Sequence, residues 1–89
     1  MPDPFRLEII REHEFEEQLA ALIADAEGAD EFTAAAEDLL SREPRSGRLA
    51  SAKYGIWALP MFPVDERQVT LYYTFDEQTL TLLSIVAFD

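Results

Sequence analysis

The apolar pattern of this sequence changes period twice, and the two changes restrict it to a mixed α+β fold. At the start it alternates: Phe5, Leu7 and Ile9 fall on one side and Arg6 and Glu8 on the other. Period two is the pattern of a half-buried strand, with Ile10 leading out of it. From Glu12 the repeat becomes helical, with Phe15, Leu19, Leu22, Ile23 and Ala26 on one stripe. Glu12, Glu14, Glu16 and Glu17 crowd its first turns, where carboxylates complement the positive end of the helix dipole. Gly28 is the expected stop. A second stripe, Phe32, Ala35, Ala36, Leu39 and Leu40, follows an expected Asp30 N-cap and ends at Pro44 and Gly47. The short gap between the stripes predicts an antiparallel helical hairpin.

After Gly47 the alternating pattern returns. "REPRSGRLASAK" is polar and rich in small residues, and reads as the one loop of any length. "YGIWALPMF" sets Ile56 and Ala58 against Trp57, Leu59 and Met61, and Pro60 marks an edge, a bulge or the strand's end. "PVDER" turns the chain. "QVTLYYTF" then sets Val69, Leu71, Tyr73 and Phe75 against Thr70, Tyr72 and Thr74. In "TLTLLSIVAF", Leu80, Leu82, Ser84, Val86 and Phe88 oppose Thr79, Thr81, Leu83, Ile85 and Ala87, a density of apolar residues that suggests a central strand. The expected order is β-α-α-β-β-β. A helical hairpin would lie on one face of a small, mostly antiparallel four-stranded sheet, whose last two strands pair across Asp76-Glu77-Gln78. No repeat or linker divides residues 1–89, so one domain is expected.

Composition removes several classes of function. There is no cysteine, and the one histidine, His13, cannot build a multi-histidine metal site, so neither metal nor cofactor is expected. No apolar run approaches the ~20 residues of a membrane span. "MPDPFRLEII" lacks the basic start and small-residue cleavage site of a signal peptide, which makes a soluble, cytoplasmic protein the economical reading.

The net charge is −11, from 18 acidic and 7 basic residues. Nucleic acid is therefore an unfavourable partner except through a local basic patch, because phosphate neutralisation supplies most non-specific affinity. Five of the seven cations are Arg42, Arg45, Arg48, Lys53 and Arg67, and none follows Arg67.

With "GIWALP" followed by "VTLYYTFDEQTLTLLSI", this order of elements resembles the RelE/ParE superfamily of bacterial toxin–antitoxin toxins, also known from plasmid stabilization. The resemblance covers most of the chain and rests on hydrophobic strands and the "FDE" hairpin tip. It implies a helical hairpin on a small sheet, and a cognate antitoxin or another protein as partner. In the ribosome-dependent ribonucleases of that superfamily, basic residues line the sheet and a neighbouring loop, where they stabilise charge developing on the scissile phosphate. The last strand of those members runs into a basic and aromatic segment. Here the corresponding stretch reads "SIVAFD", from Ser84 to Asp89. The resemblance therefore points toward a toxin-like protein acting through protein binding, without robust RNase activity. A divergent mRNA endoribonuclease using Lys53 and Arg67, or a non-toxic acidic interaction domain, are the alternatives. A homodimer is a further possible assembly.

Arg42, Arg45, Arg48 and Lys53 are the candidate partner-binding cations, and Trp57 a candidate anchor. The ordinary reading of these cations is charge balance on a soluble loop, and that of Trp57 is core packing. Lys53 and Arg67 are the candidate catalytic cations. His13 is a residue type that could serve as a general base, yet it stands among glutamates with no nucleophile and reads as an exposed helix residue. Tyr54, Tyr72 and Tyr73 could stack bases, but strand propensity already accounts for tyrosine there. The glutamate-rich "EHEFEEQ" reads as a solvated face, and Asp76-Glu77 as a turn.

Overall fold

A computed structural model of the chain describes residues 6–88. The elements are β1 (Glu8–Arg11), α1 (His13–Leu22), α2 (Ala26–Arg42), a single 3-10 turn (Pro44–Ser46), β2 (Arg48–Ser51), β3 (Ile56–Val64), β4 (Arg67–Phe75) and β5 (Thr79–Phe88). Phe5, expected to begin the first strand, lies outside the described residues.

The five strands form one mixed sheet in the order β1-β5-β4-β3-β2, not the four-stranded sheet expected from periodicity. β1 runs parallel to β5, and the other three pairings are antiparallel. The extra strand is β2, inside the stretch that reads as a loop. It has little apolar content of its own and is held by pairing, Arg48 beside Ala58 and Leu49 beside Trp57.

The helix boundary also differs from expectation. Gly28 does not stop a helix, and Asp30 caps none. The break comes earlier, at Ile23–Asp25, and Ala26 begins α2 instead of closing the stripe of α1. Asp25 is the N-cap, its Oδ2 accepting the Gly28 N–H at 3.0 Å and satisfying one of the four orphan donors of the first turn.

Both helices supply side chains to one core. Phe15 and Leu19 of α1 and Ala29, Ala36 and Leu40 of α2 meet Val69, Leu71 and Tyr73 of β4 and Leu80, Leu82 and Ile85 of β5. Tyr73 carries the end of α2 onto the sheet: its hydroxyl donates to the Pro44 carbonyl at 2.6 Å and accepts the Gly47 N–H at 3.1 Å. Burial raises the Tyr73 pKa, and the Gly47 N–H opposes that rise. Gly47 is needed for room, not for backbone freedom, since a Cβ there would stand 2.6 Å from both the Ala58 carbonyl oxygen and the Tyr73 hydroxyl.

The last strand departs from simple alternation. Tyr73 pairs with Leu82 and Tyr72 with Ser84, so Leu83 is an extra residue, a β-bulge. Beyond it Ile85 and Ala87 take the core side, opposite Leu71 and Val69, while Val86 and Phe88 turn to the other face. A side chain pins this shift: Gln18 of α1 accepts the Ile85 N–H.

Candidate partner-binding surface

The sheet has two unlike faces. One carries Val69, Leu71 and Tyr73 into the core. The other carries Thr70, Tyr72 and Thr74 on β4 and, among the described residues, receives no helix. Across that open face the register aligns Arg48, Ala58, Tyr72 and Ser84 on four neighbouring strands. Such side chains stand about 5 Å apart at the Cβ atoms.

The structure separates the candidate cations instead of gathering them. Lys53 lies in the turn between β2 and β3, and Arg67 opens β4. The nine residues of β3 stand between the two positions, a span of about 30 Å at the rise of a strand. No single phosphate can meet both. Lys53 instead sits over the Tyr54 ring, 5.3 Å from its centroid, and Arg67 donates to the Ala87 carbonyl at 3.4 Å.

Arg42 belongs to the helix: it pairs with Asp38 one turn back, and Asp38 also holds Arg6, which reaches Ser41 as well. Arg45 and Arg48 are exposed and form no ion pair with a described residue. Trp57 is half-buried on the helix side, with its ring 5.5 Å from that of Phe75. Arg42, Trp57, Lys53 and Arg67 are thus engaged within the molecule, while Arg45 and Arg48 present charge outward.

His13 is largely exposed and pairs with Glu17 at 2.8 Å. Among the described residues no cluster of three metal-ligating groups occurs, and no helix is long and apolar enough to cross a membrane. Tyr73 is fully buried, whereas Tyr72 faces the open side.

One charged centre escapes the sequence reading. Arg11 reaches Thr33 and Glu37 on α2 and lies 3.5 Å from Asp30. Burial alone would lower its pKa, but the hydrogen bond and charge of Glu37, with the charge of Asp30, outweigh burial and raise it. A signal for this pair existed, because strand alternation puts Arg11 on the inward side with Leu7 and Ile9. A cation there requires an acidic partner.

Beside the sheet runs a groove of about 340 Å³, where Phe32, Ala35 and Leu39 of α2 face Leu59, Met61 and Phe62 of β3. Every side chain that lines it is apolar, and Phe62 is 76% exposed. An exposed apolar groove of this kind is a surface for packing rather than for acid–base chemistry.

No model of a known protein family matches the sequence, and no curated protein matches it.

Proposed function

We propose that this protein works by binding another protein, as the toxin-like component of a toxin–antitoxin pair of the RelE/ParE kind. The observation that carries the binding reading is the separation of Lys53 and Arg67 to opposite ends of β3, beside a broad open sheet face and an apolar groove. Phosphoryl transfer needs cations aimed at one developing charge, together with an acid or base within reach. A docking surface needs neither. The helical pair on one side of a small sheet and the β4–β5 hairpin support the family part of the reading. A net charge of −11 weighs against extended contact with nucleic acid.

Expression in bacterial cells tests the proposal. The chain should arrest growth, and the product of an adjacent gene should bind it and restore growth. Purified protein should leave ribosome-bound message intact. Cleavage that survives purification and is lost in Lys53→Ala or Arg67→Ala would replace this reading with the endoribonuclease one.

A further inference from the structure

The charge of this protein is distributed by element. From Pro44 to Val64 the chain holds no Asp or Glu, yet it carries Arg45, Arg48 and Lys53. This stretch builds the 3-10 turn, β2 and β3. β2 is an edge strand, and among the described residues no backbone group outside the sheet bonds to the main chain of Arg48–Ser51, while the Tyr54 N–H donates to the Ser51 hydroxyl. Its Leu49 is 49% exposed on the helix side, the side of Trp57, and Arg48 stands on the open side with Ala58. Ala50 has no register partner in β3.

We propose that the outer edge of β2 accepts an extended, acidic segment of a partner protein as a sixth strand. The inference rests on the protein-binding reading above and gives it a location and a chemistry. Strand addition supplies affinity through main-chain hydrogen bonds and specificity through alternate side chains. Here the alternation is defined: carboxylates toward Arg48 on the open side, and an apolar residue against Leu49 on the helix side. Arg45, one turn upstream, and Lys53, one turn downstream, extend the positive field at either end of the strand.

Two comparisons within the molecule select this edge and this occupant. Beyond Ala58 the β2 side of β3 is also unpaired, but Pro60 and Pro63 interrupt it, and proline cannot donate to a ladder. β2 contains no proline. A second copy of the chain is the wrong partner, because antiparallel pairing of two β2 edges would bring Arg48 of each into one four-residue ladder. An acidic strand meets the same arginines with favourable charge.

The test uses the full chain and a fluorescein-labelled nine-residue peptide alternating Glu and Val, with a Lys–Val peptide as control. At low salt the Glu–Val peptide should bind saturably, and hydrogen exchange at the amides of residues 48–51 should slow. Affinity should fall at least fivefold in Arg48→Glu, and again in Ala50→Pro, which removes the main-chain donor at the β2 position without a register partner in β3. A loss of Ala50→Pro affinity counts only with an unchanged melting temperature; Arg48→Glu and the exchange pattern decide the matter otherwise. Absence of saturable binding at 1 mM peptide, roughly equal binding of the Lys–Val peptide, or protection confined to residues other than 48–51 would overturn the proposal. If the proposal fails while an adjacent gene product still binds the chain, the protein-binding reading stands and only its location is refuted.

Discussion

Gln18 and Ile85 are 67 residues apart in sequence, and the Gln18 Oε1 accepts the Ile85 N–H at 2.9 Å. That contact lies just beyond the bulge at Leu83, where the ladder between β4 and β5 changes register. Ile85 keeps its place opposite Leu71, but β1 pairs with β5 only as far as Leu82, and past that point the α1 side chain serves the Ile85 donor. Removing the acceptor by Gln18→Ala leaves the donor partly buried without it, at a cost of about 1–3 kcal/mol. Urea unfolding should show that loss. Gln18→Glu, which retains an acceptor oxygen, should recover most of it at neutral pH.

The Tyr73 hydroxyl serves two backbone groups at once, the Pro44 carbonyl and the Gly47 N–H. Tyr73→Phe should therefore destabilise the protein by about 1–3 kcal/mol even though the ring still fills its site. Gly47→Ala should cost a similar ~1–3 kcal/mol through overpacking against Ala58 and Tyr73. The two losses should be less than additive, because both disturb one contact. A double-mutant cycle by chemical denaturation measures this.

The β3–β4 hairpin turns through Asp65 and Glu66, with φ of 51° and 65°. A two-residue loop with positive φ at both positions favours Asn or Asp followed by Gly. Asp65 suits its place, but Glu66 carries a side chain that opposes the left-handed conformation. Glu66→Gly should raise stability by about 1 kcal/mol, read from the urea midpoint. A neutral or destabilising result would show that the glutamate side chain makes a compensating contribution.

At the β4–β5 tip, Asp76 Oδ1 accepts the N–H groups of Gln78 and Thr79, both at 2.8 Å. These bonds hold the Asp76 carboxyl below its ordinary value of 3.8. A carboxylate with a lowered folded pKa stabilises the fold above its unfolded pKa, and the contribution disappears as pH falls through the folded value. NMR titration should place the Asp76 midpoint below 3.8. In Asp76→Ala, the corresponding acid-dependent loss of stability should be absent. Tyr73 has the opposite sense: its raised pKa contributes stability below 10 that is lost as pH rises through the folded value.

Local periodicity determined much of this molecule. Phe15 and Leu19 face the core because helical spacing puts them on one stripe, and Val69, Leu71 and Tyr73 do so because a strand alternates. The Asp76 turn was legible for the same reason, since its hydrogen bonds reach only two and three residues along the chain. Tertiary structure decided what local pattern does not encode. Arg48–Ser51 became a strand because β3 offers it a ladder, although its own residues are mostly polar or small. Leu83 became a bulge, reversing the faces of Val86 and Phe88, at a place where Gln18 of a distant helix takes up a backbone donor. Arg42 lost its outward role to Asp38, and Lys53 and Arg67 came to rest at opposite ends of β3. Residue types can name candidate charges, but only the strand register and the path of the chain place those charges together or apart.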